Sequence, residues 1–170
     1  LFGIMSGNRI GKSIFFQLFY SLTLVVLVSI QVYYPLLPLK GKSDITNRYH
    51  MYSFLHTELS SFLNEKTQFN NYRLVSNNYQ LPSMINLYLK PKLEALCLSI
   101  GYHQTLYSFL YPDSTLIGDD YLFITKGNDF PPHLTYYFDG VILLERFVST
   151  RNKEHLANFS LWYVKNYRGK

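Results

Sequence analysis

Apolar positions are unevenly distributed along this chain. From Ser13 to Leu39 the run SIFFQLFYSLTLVVLVSIQVYYPLLPL contains no Asp, Glu, Lys, Arg or His. A helix crossing the hydrocarbon core needs about 20 mostly apolar residues, because each adds only about 1.5 Å of rise. The run meets that length and carries aromatic rings at both ends, Phe15, Phe16, Phe19 and Tyr20 at one and Tyr33 and Tyr34 at the other. Amphipathic rings at two interfaces form such belts. Pro35 and Pro38 are expected to stop the helix. The run is too long for a secretory signal peptide and lacks a small-x-small cleavage site. It also exceeds the ~11–12 residues of an average soluble helix, which disfavours a buried core helix. Gln17, Ser21, Thr23, Ser29 and Gln31 interrupt it, which predicts one face turned towards other helices. Residues 1–12 read as the end of a preceding hydrophobic segment, Leu1 to Met5, and a loop, SGNRIGK.

After Leu39 the pattern becomes that of a globular α/β domain, residues 40–170. Tyr52, Leu55, Leu59, Phe62 and Leu63 recur at spacings of three and four, which predicts an amphipathic helix capped at Asp44 or Thr46 and ended by Asn70-Asn71. Strand-like YRLVS follows, then a helix from about Gln80 to Leu89 and a turn at Lys90-Pro91-Lys92. Further strands are predicted over Glu94–Ile100 and Asp119–Gly127, with a Pro-initiated short helix in DFPPHLTYYF. Two longer strands, from Gly140 and from Leu156, flank the polar linker RNKEH and read as a hairpin. The expected architecture is a membrane helix plus an α/β domain whose mixed sheet is flanked by helices.

Charge narrows the partners. Beyond Leu39 there are 14 basic and 11 acidic residues. That surplus of three is scattered, whereas a nucleic-acid face needs clustered Lys and Arg, so no nucleic-acid partner is expected. Lys40, Lys42 and Arg48 suit a membrane surface near anionic lipid. Arg9 and Lys12 on one side of the span balance Lys40 and Lys42 on the other, which leaves orientation open. The lone cysteine, Cys97, lies in an apolar strand and reads as a small hydrophobe. The five histidines show no metal spacing, and neither a metal site nor any other cofactor is expected. Asp119-Asp120 reads as a solvated turn, since adjacent strand residues point to opposite faces. Asn158-Phe159-Ser160 matches a glycosylation acceptor but falls inside a predicted strand. No phosphate-loop, dinucleotide or Gly-x-Ser-x-Gly motif is present.

The segment NNYQLPSMINLYL, Asn77 to Leu89, holds the candidate site residues Asn78, Tyr79, Gln80 and Ser83. A loop feeding a helix N-terminus presents free N–H groups and a positive dipole end, a seat for phosphate or a sugar hydroxyl. The alternative is architectural: Asn78 caps the helix and Pro82 sits in its first turn. No basic residue accompanies the loop, which favours the cap.

Taken in order, the apolar run, DITNRYHMYSFLHTEL, NNYQLPSMINLYL, the CLSI strand, HQTLYSF and GDDYLFITKG resemble the C-terminal end of bacterial polytopic glycosyltransferases of the dolichyl-phosphate-mannose-protein mannosyltransferase type. The aminoarabinose transferases acting on lipid A share that architecture. The resemblance covers Ser13 to Phe147, and its tightest element is Tyr79, Gln80, Ser83, Tyr88 and Leu89. Tyr52-Ser53 stands where the family usually has Gly-Trp. The resemblance implies a fragment of an inner (plasma) membrane enzyme that moves a sugar from a polyprenyl-phosphate carrier to a lipid, glycan or protein acceptor. It implies that the domain after Leu39 is extracytoplasmic, on the periplasmic side. It also implies a catalytic Asp upstream of Leu1, so that this piece alone is inactive and the full-length protein is the enzyme. The chain begins with Leu rather than Met, as a piece of something longer would. The rival expectation is a single-span, membrane-anchored binding or assembly domain without chemistry.

Overall fold

The computed structural model describes residues 7–34, 46–88, 94–98, 100 and 105–169. Leu1–Met5, Pro35, Pro38, Lys40, Lys42, the cap candidate Asp44, Leu89, the Lys90–Lys92 turn and His103 lie outside them. The chain forms two compact units, Leu1–Asn47 and Arg48–Lys170.

In the first unit helix α1 spans Gly7–Tyr33. Its segment Gly11–Tyr33 has a mean hydropathy of 2.1 and is long and apolar enough to cross a membrane, with none of its most apolar window buried in the protein. The helix starts earlier than expected, because Gly7–Lys12 is helical and not a loop. Once a helix is nucleated each further residue adds a hydrogen bond at little cost, so it runs past the apolar boundary. It ends at Tyr33, one residue before the one that precedes Pro35, where the α conformation is disfavoured. Two of the polar residues bond within the helix. Thr23 Oγ1 donates to the Phe19 carbonyl and Ser29 Oγ to that of Val25, both at 2.8 Å. These two hydroxyls are satisfied on their own helix backbone.

The second unit is α/β. Helix α2, Asn47–Glu65, turns the expected Leu55, Leu59, Phe62 and Leu63 inward, but with Met51 buried beside them and Tyr52 only partly buried. It stops before Asn70-Asn71, because Lys66 leaves helical geometry and a 3-10 turn, Thr67–Phe69, stacks Phe69 on Phe62 with centroids 5.8 Å apart. Strand β1, Arg73–Ser76, then leads into α3, Gln80–Tyr88, which returns the chain to β2, Ala95–Cys97. A five-residue helix, α4, Leu106–Leu110, precedes β3, Tyr121–Lys126. The hairpin is β4, Gly140–Arg151, and β5, Glu154–Lys165.

The five strands form one mixed sheet in the order β2-β1-β3-β5-β4. β1 pairs in parallel with β2 and β3, and β5 is antiparallel to β3 and β4. Successive strand residues face opposite ways, which divides the core in two. Leu74, Ala95, Leu122, Ile124, Phe159 and Leu161 pack under α2 and α3. Val75, Leu96, Tyr121, Phe123 and Val164 face the other side, where Leu116, Phe130, Leu134, Phe138 and Tyr167 cover them. Covering on both faces explains why β1, β2 and β3 read as continuous apolar runs. At the far end β5 stops at Lys165. Asn166 takes a φ of 49° and swings Tyr167 off the strand into the second core layer, where it is fully buried.

Candidate functional site

A cavity of about 510 Å³ opens beside the β2 edge of the sheet, between α3 and α4. The periodicity of α3 builds one wall. Leu81 and Ile85 point into the core. Tyr79, Ser83 and Asn86, spaced by four and three, take the opposite face and line the cavity. Glu94, Ala95 and Leu96 form the floor, and Thr105, Leu106, Tyr107, Leu110 and Tyr111 the second wall.

Asn86 joins helix to strand. Its Nδ2 donates to the Ala95 carbonyl at 2.8 Å and its Oδ1 accepts from the Ala95 N–H at 2.9 Å. Glu94 O and Leu98 N bond to β1, so the groups of Ala95 point to the open edge. The Asn86 amide stands there as a neighbouring strand would.

Helix α4 buries none of its residues and is held by polar contacts. The Thr105 N–H donates to Ser108 Oγ at 3.1 Å at its start. Tyr107 Oη and Ser83 Oγ share a hydrogen bond of 3.1 Å across the cavity. Tyr111 Oη donates to the Glu94 carboxylate. That bond raises the Tyr111 pKa, since it is lost when the phenol ionises; burial and the Glu94 charge add to the rise, while Arg73 opposes it. Among the described lining residues Glu94 is the one carboxylate, and none is Lys or Arg.

The residues expected from sequence divide here. Tyr79 and Ser83 line the cavity. Asn78 and Gln80 do not: Asn78 Oδ1 accepts the Gln80 N–H at 2.9 Å, and Asn78 N donates to Ser76 Oγ at 3.3 Å. Asn78 is a cap. Asp120 closes the fold, accepting from Tyr163 Oη and, at 2.8 Å, from Asn166 N. The Tyr163 pKa is raised chiefly by that bond. Cys97 is buried in β2. Asn158 lies in β5 against His155, 2.6 Å away. Among the described residues no three His, Cys, Asp or Glu side chains cluster as metal ligands would.

Asn86, Glu94, Thr105, Tyr107 and Tyr111 escape a reading of the sequence alone. The available signal was TLYSFLY, which puts two tyrosines four apart, on one face of a helix. The helix itself is too short to show a period. Comparison with protein-family models, curated proteins and solved structures returns no match.

Proposed function

We propose that this chain is the membrane-attached part of a glycosyltransferase that draws its sugar from a polyprenyl-phosphate carrier, with the α/β unit on the outer face of the membrane. In this reading the cavity between α3 and α4 receives a saccharide, and the acid–base chemistry belongs to residues upstream. The observation that carries it is the lining. Three tyrosines, three leucines, an alanine, two small hydroxyls, one amide and one carboxylate line a space of about 510 Å³. Aromatic rings offer flat faces to the C–H side of a sugar ring, and the oxygens bond its hydroxyls. The resemblance carried by Tyr79, Gln80 and Ser83 supports the same reading.

The test is to express the chain with whatever its gene encodes upstream, in membrane vesicles, and follow transfer from a labelled polyprenyl-phosphate sugar. Transfer is expected from the complete protein and is expected to vanish when everything before Ser13 is removed. Transfer that survives the deletion overturns the upstream placement of catalysis.

A second reading, an anchored binding or assembly domain, is favoured by one feature. Among the described lining residues Glu94 has no second carboxylate or histidine beside it to form an acid–base pair. Saccharide binding with no transfer by the complete protein decides for this second reading.

A further inference from the structure

We infer that α4 docks into the interfacial layer of a lipid bilayer through Leu106, Phe109 and Leu110, and so holds the mouth of the α3–α4 cavity at the membrane surface. Such docking goes beyond the function proposed above and needs only that α1 spans the membrane.

The residues of α4 and its cap divide by face. Tyr107 and Tyr111, four apart, turn to the protein, where Tyr107 Oη shares a hydrogen bond with Ser83 Oγ and Tyr111 Oη donates to the Glu94 carboxylate. Leu106, Phe109 and Leu110, at spacings of three and four, take the neighbouring face and are between 61% and 71% exposed. An apolar stripe of this kind is ordinarily what a helix buries, yet none of the five residues of α4 is buried. Leu106 and Leu110 also line the cavity, so the exposed stripe is its rim. On α3, the opposite wall, Leu87 is exposed as well.

Lipid is the occupant for two reasons. The first is reach. Residues 34–46 join α1 to α2, a length that spans at most roughly 45 Å when fully extended. The α/β unit, with a radius of gyration of about 14 Å for its size, is therefore never far from a bilayer that holds α1. An apolar face on it meets lipid at high effective concentration. The second reason is side-chain chemistry. Thr105 to Pro112 reads TLYSFLYP, which carries no charged residue. Leu and Phe beside Tyr hydroxyls are the mixture that settles between headgroups and acyl chains. Elsewhere in the unit exposed apolar side chains stand among charges. Ile142, Leu143 and Val148 share β4 with Glu145 and Arg146, and Ile117 is followed by Gly118-Asp119-Asp120.

The experiment uses the full chain in vesicles of phosphatidylcholine with a minority of phosphatidylglycerol. Phe109→Cys and Tyr136→Cys are each labelled with an environment-sensitive fluorophore. Tyr136 is the control, since it is 79% exposed and lies outside α4. The unsubstituted chain, whose Cys97 is buried, reports background labelling. Nitroxide lipids are expected to quench the label at position 109 about twofold or more above the label at 136, as insertion about 5–10 Å into the interface requires. Adding Leu106→Asp and Leu110→Asp to Phe109→Cys is expected to abolish the excess, while α1 keeps the chain in the carbonate-resistant fraction. If circular dichroism shows that this variant is unfolded, Leu106→Gln with Leu110→Gln replaces it, with the same loss expected. Equal quenching at 109 and 136 overturns the inference. So does a label at 109 that is shielded from aqueous iodide but not reached by nitroxide lipid, as a protein partner or a second copy would leave it. Excess quenching that survives the Leu106 and Leu110 changes overturns it too, and a chain that does not stay with the vesicles overturns it together with the membrane role of α1. Sugar transfer enters none of these readings, so docking and transferase activity stand or fall separately.

Discussion

At Asn86 one side chain satisfies two backbone groups of an edge strand and ties a helix to a sheet. Replacing it with Ala leaves the Ala95 N–H and C=O to be met by solvent alone. The expected cost is roughly 1–2 kcal/mol, since each net hydrogen bond contributes about 1 kcal/mol, seen as a lower urea midpoint with an unchanged slope. A second residue gives the fold a pH dependence. The Asp139 carboxylate accepts from Asn166 Nδ2 and from Arg168, and these bonds, followed by the Arg168 charge, hold its pKa below the ordinary 3.8. A pKa depressed on folding stabilises above the unfolded value, and the contribution is lost as pH falls through the folded one. The melting temperature should therefore exceed that of Asp139→Asn near neutrality, and the two curves should converge as pH drops below about 3.8.

Among the elements, the β4–β5 hairpin is the one most fully written in local sequence. Two apolar strands flank a short polar link, and Asn152 and Lys153 turn the chain with φ values of 51° and 67°. Positive φ at both central positions is the turn that suits twisted strands, and glycine is its preferred second residue. Lysine there bears a steric cost of about 1–2 kcal/mol, partly offset because glycine loses more entropy on folding. Lys153→Gly should thus stabilise by roughly 0.5–1 kcal/mol, measured as a rise in thermal midpoint. Helix α2 was also legible, through Leu55, Leu59 and Phe62, because its apolar stripe follows the helical period. Its end was not, since Phe69 stacking on Phe62 stops it rather than a local breaker. Helix α4 was illegible for a plainer reason: five residues held by side-chain hydrogen bonds, with none buried, show no period at all.

For the whole molecule, the prediction concerns α1. Its apolar side chains are exposed, from Phe15 at 67% to Tyr33 at 69%, so water is a costly environment for it. Placing a charge at the centre of a spanning helix costs about 2.5–3.5 kcal/mol on insertion scales. The double change Leu24→Arg and Leu27→Arg should therefore shift the chain out of the carbonate-resistant membrane fraction, read by fractionation and blotting. Undiminished retention of the double variant would show that α1 is not what holds the chain to lipid.

What the amino-acid order settled unaided was whatever repeats over a few residues: the uncharged span, the stripe of α2, the buried strands and the hairpin. Each is fixed by a period or by a turn that neighbours enforce, and neighbours are visible in a sequence. Strand order, the turn of Asn166 that buries Tyr167, and the meeting of Tyr79, Ser83 and Asn86 with Glu94, Tyr107 and Tyr111 came only with the folded chain. Those contacts join residues far apart in sequence, across connections whose lengths say nothing about which side chains will meet.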